Sequence, residues 1–184
     1  MPLNPSSQPS MPRNVEFKVR VDDLAPVRER LLRLHPRLAG EDQQRDTYFR
    51  VSHGRLKLRE GTVETALIHY ERPDVAGVKG STVRLYAPSD APVLRETLAA
   101  ALGVDAVVEK TRAIYYVGHV KIHLDTVPGL GAFVEVEAID TDGTRGDDAL
   151  RADAEAMRAA LGLLDAPFEA QSYRELVGRR YPMP

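Results

Sequence analysis

Alternation with a period of two, charge on one side and hydrocarbon on the other, recurs along this chain and constrains its fold more than any other feature. Residues Asn14 to Val21 place Val15, Phe17, Val19 and Val21 on one face and Asn14, Glu16, Lys18 and Arg20 on the other. That is the pattern of a strand covered on one side. It returns at Arg55, Lys57 and Arg59 against Leu56 and Leu58, and at Lys110 and Arg112 within a long strand over 107–117. It returns again at Lys121, His123 and Asp125 over 121–126, and at Glu135 and Glu137 over 132–139. Further strands are expected over 44–51 and 62–72. In the segment 81–86, Thr82, Arg84 and Tyr86 alternate with Ser81, Val83 and Leu85.

Helical periodicity separates these strands. Leu24, Val27, Leu31 and Leu34 form one stripe behind Asp22 and Asp23, which can cap it, and Pro26 sits in its first turn. Asp90 opens a second helix with Leu94, Leu98, Ala101 and Leu102 inward, stopped by Gly103. A third runs from about Asp147 to Leu161, and Ser172 with Glu175 reads as a capping box for a short fourth. Turn signals at Gly118 and at Pro128-Gly129-Leu130-Gly131 make the later strands hairpins. The expected class is α+β: an antiparallel sheet or barrel of about eight strands with helices packed outside.

If the sheet closes, alternate residues of every strand face its interior. The apolar faces match the apolar stripes of the helices, so the charged faces turn inward. A small barrel lined by a dozen charges cannot stay dry and unpaired, because desolvation costs several kcal/mol per ion. It holds water, metal or a highly charged ligand. Rows of Lys and Arg suit a polyanion, and Glu clusters suit a hard cation such as Mg²⁺ or Mn²⁺. The competing reading is an ordinary solvated sheet face, and spacing alone leaves both open.

Composition narrows the classes. The 184 residues fit one domain over 13–184. The absence of Cys removes disulfides, thiolate metal sites and a cysteine nucleophile. A formal charge of −2 argues against a generally basic nucleic-acid binder. No apolar run approaches the roughly 18 residues of a membrane span. Residues 1–12, rich in Pro and Ser and without an apolar core, read as a disordered tail and not as a signal peptide. The default location is the cytoplasm, with no nucleic-acid or membrane partner. A homodimer is compatible with the composition.

The first strand, Asn14-Val15-Glu16-Phe17-Lys18, resembles the E-x-E-x-K signature of the CYTH superfamily, the triphosphate tunnel metalloenzymes. Further segments follow in the family's order: Asp46-Thr47-Tyr48-Phe49, Arg55-Leu56-Lys57-Leu58-Arg59-Glu60, and Glu109-Lys110-Thr111-Arg112. Leu124-Asp125, Gly129 through Glu137, and Ser172-Tyr173-Arg174-Glu175-Leu176 complete the set. The resemblance spans about residues 13–178 and is strongest to the class IV adenylyl cyclase branch. It implies an eight-stranded antiparallel barrel with triphosphate inside. It also implies Mg²⁺ or Mn²⁺ held by Glu16, Glu135 and Glu137. Lys18, Arg59, Lys110 and Arg112 match the triphosphate-gripping positions and, with Asp125, the expected catalytic set. Lys57 shares the basic row, Arg20, Arg55 and Lys121 lie on the same charged faces, and Arg84 is a further phosphate contact. The implied partner is a nucleotide or inorganic triphosphate. The implied activity is cyclisation of ATP, with triphosphate hydrolysis or non-catalytic polyphosphate binding as alternatives. Two positions depart from the pattern. Asn14 stands at the first acidic position of the signature, and the strand ending His69-Tyr70-Glu71-Arg72-Pro73 lacks the Lys that such cyclases place there.

Overall fold

The alternating segments do form strands, and eight of them close on one another. The computed structural model describes residues 13–71 and 77–180. The tail expected over 1–12 lies outside these, as does Arg72 of the segment that lacks the expected Lys. The strands are β1 (Arg13–Val21), β2 (Arg37–Phe49), β3 (Arg55–Gly61), β4 (Ala66–Glu71), β5 (Lys79–Tyr86), β6 (Val104–Val117), β7 (Val120–Val127) and β8 (Gly131–Asp140). The helices are α1 (Ala25–Leu32), α2 (Ala91–Leu102), α3 (Asp147–Ala160) and α4 (Tyr173–Arg180). The order around the closed antiparallel barrel is β1-β5-β4-β3-β2-β6-β7-β8. β1 pairs with β8 along its whole length, but with β5 only over Arg13–Glu16.

The main hydrophobic core lies outside the barrel. Val15, Phe17 and Val19 of β1, Ile122 and Leu124 of β7, and Val134 and Val136 of β8 turn outward. There they meet Val27 and Leu31 of α1, Leu150, Ala154 and Met157 of α3, and Leu161 just after it. Burial of these aliphatic side chains, each worth about 1.5–3 kcal/mol, stabilises the wall from without. The interior is thereby left free to be polar. A second cluster fills one end of the barrel: Tyr48, Val108, Val127, Phe133 and Tyr173, with Leu176 and Val177 of α4 against it. The expected capping box starts α4, with Ser172 N donating to Glu175 Oε2 at 2.7 Å. Asp90 caps α2 through Val93 N at 3.0 Å.

Two boundaries differ most from the periodicity. β2 starts at Arg37, not near Gln44, because its first half pairs with the far end of β6, where Leu38 meets Tyr115. β4 starts at Ala66, not at Thr62. Residues 62–65 form a turn instead, held by the buried Asp42, whose carboxylate accepts from Thr62 Oγ1, Val63 N and Glu64 N at 3.1, 2.9 and 3.0 Å.

Candidate active site

The barrel register sets which side chains meet. On β8, Glu135 lies opposite Lys18 of β1 and His123 of β7, and Glu137 lies opposite Glu16 and Lys121. Directly opposed residues in an antiparallel sheet hold their Cβ atoms about 4.5–5.5 Å apart. Glu16, Glu135, Glu137 and His123 are therefore crowded into one corner of a cavity of about 480 Å³. His123 Nδ1 is 3.4 Å from Glu135 Oε2 and 3.7 Å from Glu137 Oε1. Burial, and then the charge of Glu135, pushes Glu137 up to about 7. Burial would raise Glu135 too, but the hydrogen bond from His123 and then the Arg112 guanidinium 2.8 Å away hold it well below the usual carboxylate range. Burial and the nearby Arg112 lower His123 to about 3, so its ring is neutral at pH 7.

This corner fits a divalent cation. Its donors are mainly carboxylate oxygens, the ligands a hard cation prefers, and the neutral His123 ring offers a nitrogen beside Glu135 and Glu137, the three ligand atoms within 4.8 Å of one another. Beside Glu16, whose Oε2 accepts from Asn14 Nδ2 at 3.3 Å, the Asn14 Oδ1 atom is buried without a hydrogen-bond partner. A buried orphan acceptor is costly and rare. An amide oxygen can ligate, so Asn14 offers an uncharged donor where the signature has an acid.

The opposite wall is basic. Asp46 is fully buried on β2 and accepts from Lys57 Nζ at 2.9 Å, Arg59 Nε at 2.9 Å and Lys110 Nζ at 2.8 Å. Burial alone would raise its pKa, but Arg59, Lys110 and Lys57 hold it well below the carboxylate range. Glu64, in the turn before β4, pairs with Lys121 at 2.6 Å and Arg59 at 3.2 Å. Despite burial, these cations hold it at about 2. Four cations thus face two carboxylates on this wall among the described residues, an excess that an anion would neutralise. Burial pushes Lys110 down; Asp46 resists, but Arg59, Arg112 and Lys57 leave it at about 7. Arg112 bridges the two walls, forked onto Asp125 at 2.7 and 2.5 Å and reaching Glu135.

Most of the expected residues converge. Glu16, Lys18, Lys57, Arg59, Lys110, Arg112, Lys121, Glu135 and Glu137 all line the one cavity. Asp125 lies beneath it, fully buried, accepting from Arg112 and from Tyr173 Oη at 2.7 Å. Lys18 is held by the Gln171 carbonyl at 3.0 Å and sits 4.2 Å over the Tyr173 ring. Three of the expected substrate contacts stand apart. Arg20 is exposed over the Phe133 ring, and Arg55 pairs with Glu175 of α4 at 3.0 Å. Arg84 lies on the outer face of β5 with Glu71 3.8 Å away, because Val83 and Leu85 are the residues of β5 that line the cavity. Glu64, which falls in the strand expected over 62–72 with no site role, lines the cavity as well. Asp46 sat in a recognised motif without a role. An Asp in the middle of a strand is disfavoured, and that was the signal that could have marked it.

A CYTH domain family model matches residues 12–173. Adenylate cyclase CyaB of Aeromonas hydrophila is 32% identical over 175 residues, covering 88% of this chain and 87% of that protein. Among solved structures, the PH1012 protein of Pyrococcus horikoshii is similar with a TM-score of 0.75 and 22% identity, covering 89% of this chain and 98% of its own. HpAC1 of Hippeastrum, described as having a dominant triphosphatase activity, is similar with a TM-score of 0.58 and 14% identity, covering 91% and 95%. At these identities both structures bear on the fold alone.

Proposed function

This chain belongs to the CYTH domain family, and from that premise we propose that it is a divalent-metal-dependent enzyme acting on a triphosphate inside the barrel, converting ATP to cyclic AMP and pyrophosphate. The observation that carries this reading is the facing of two walls of opposite charge across one cavity inside the barrel. A triphosphate carries about four negative charges, and phosphoryl transfer is catalysed chiefly by positioning and charge stabilisation. Lys57, Arg59 and Lys110 form the cradle for phosphoryl oxygens, and Arg112, Lys121 and Lys18 extend it toward the acidic corner. Glu16, Glu135 and Glu137, with Asn14, would hold Mg²⁺ or Mn²⁺. When bound, such a cation neutralises charge on the phosphoryl oxygens as the bond to the leaving group breaks. Asp125 keeps Arg112 aimed, since a forked carboxylate fixes both the position and the plane of a guanidinium. In cyclisation the ribose 3′-oxygen attacks the α-phosphorus and pyrophosphate departs.

The curated relative named an adenylate cyclase supports this choice. Hydrolysis, in which water attacks the terminal phosphorus, uses the same cradle and stands as the second reading, because positioning and charge stabilisation serve either reaction. Incubation with ATP or tripolyphosphate plus Mg²⁺ or Mn²⁺ separates them. Cyclic AMP with pyrophosphate supports cyclisation and orthophosphate supports hydrolysis. Binding without turnover would leave a nucleotide or polyphosphate sensor.

Removing one cradle cation should weaken ligand binding while leaving Asp46 its other two cationic partners. A hydrogen bond to a charged group contributes about 1.5–3 kcal/mol. Arg59→Ala and Lys110→Ala are each expected to raise the Kd for a triphosphate by about 10- to 100-fold, as read by calorimetry. Unchanged affinity in both variants would place the ligand elsewhere.

A further inference from the structure

The interior of the barrel is not charged all round. The cavity-lining residues of β4 are Ala66, Ile68 and Tyr70, and those of β5 are Val83 and Leu85, with Val63 beside them. Register aligns this apolar surface against the cradle: Ile68 lies opposite Lys57 on one side and Leu85 on the other. The surface is not consumed by packing. Ile68 and Val83 are half-buried, Leu85 is 67% exposed, and none of them belongs to either hydrophobic core. Apolar surface left open beside buried charges marks a binding surface, because water gains nothing from it while a weakly polar ligand group does. The cavity, about 480 Å³, lies in the range of pockets that enclose drug-sized organic ligands.

We propose that the β4–β5 wall is the contact surface for the organic group of the substrate, a flat weakly polar ring such as a nucleobase, and that Ile68, Val83 and Leu85 set the preference for an organic triphosphate over a bare one. This rests on the triphosphate reading above and adds to it a location and a selectivity. The phosphates lie on Lys57, Arg59 and Lys110, and the ring lies across the neighbouring strands. Hydrophobic contact carries the discrimination, so neither ligand's charge decides it.

The test is calorimetric titration of the full chain with ATP and with tripolyphosphate, without divalent cation so that metal-dependent turnover is suppressed. The wild type is expected to bind ATP at least tenfold tighter than tripolyphosphate, since enclosing one ring against two or three aliphatic side chains is worth a factor of that size. Leu85→Ser, at a position too exposed to matter for folding, and Ile68→Ser should each weaken ATP by about fivefold to tenfold. Both should leave tripolyphosphate within twofold. Arg59→Ala should weaken both ligands together. Equal wild-type affinities, a preference for tripolyphosphate, or wall variants that weaken both ligands alike would overturn the assignment. Failure of either ligand to bind the wild type, or indifference of both to Arg59→Ala, would overturn the triphosphate reading itself.

Discussion

Asp46→Asn is expected to lower the melting temperature by roughly 6–20 °C in a buffer free of multivalent anions. The single Asp46 carboxylate takes hydrogen bonds from Lys57, Arg59 and Lys110 with no exposure to solvent. Removing one partner of a buried charge cluster costs about 3–5 kcal/mol, because the remaining charges stay buried without compensation. For a chain of this length each kcal/mol shifts Tm by about 2–4 °C. Adding tripolyphosphate should return much of the loss, since a ligand that binds only the folded state stabilises it. The pH dependence carries the same signature. Asp46 has a folded pKa depressed below its unfolded value. Its stabilisation is therefore complete above the unfolded pKa, near 3.9, and fades as the pH falls through the folded value. The Asn variant should lose that part of the acid sensitivity. A thermal shift under 2 °C, with acid unfolding like the wild type, would show that the cluster does not support the fold.

The second large effect is on turnover. Glu135→Gln and Glu16→Gln are each expected to reduce metal-dependent turnover by about 100-fold or more. Stabilisation of transition-state charge by a bound cation amounts to several kcal/mol, and each 1.36 kcal/mol is a factor of ten. The fold should survive. Arg112 keeps its fork on Asp125 when Glu135 is neutralised, and the crowding that raises Glu137 is relieved. Steady-state rates across a Mn²⁺ titration, with a thermal melt as control, measure both. Full activity in the two variants would remove the acidic corner from the chemistry.

The glutamates and the Lys57–Arg59 row were legible from the chain because each sits on a strand whose opposite face is plainly apolar, whereas Lys110 and Arg112 alternate with Glu109 and Thr111. Val15, Phe17 and Val19 can only face the helices, so Glu16 and Lys18 must face away from them. β5 offered no such lever. Both of its alternating sets mix polar and apolar residues, and shifting a strand's register by one residue turns every side chain to the other face. Only the pairing of His69 with Arg84 and of Ile68 with Leu85 settles that Arg84 points out and the aliphatic pair points in. Glu64 escaped because the turn that aims it hangs on Asp42, some twenty residues earlier.

Period-two patterning is a local property, readable a few residues at a time. Together with the helical period it was enough to determine the strands and helices; it left open whether the charged faces turn inward, and the family was legible only in the ordered motifs that resemble it. The partners of a charge are non-local. Asp46 meets Lys57 and Arg59 from the next strand and Lys110 from a strand 64 residues away. Only closure of the barrel decided those meetings, and with them the separation of the interior into an acidic corner, a basic cradle and an apolar wall. Coulombic and hydrophobic terms act through space, whereas periodicity records only which side of its own strand a residue occupies.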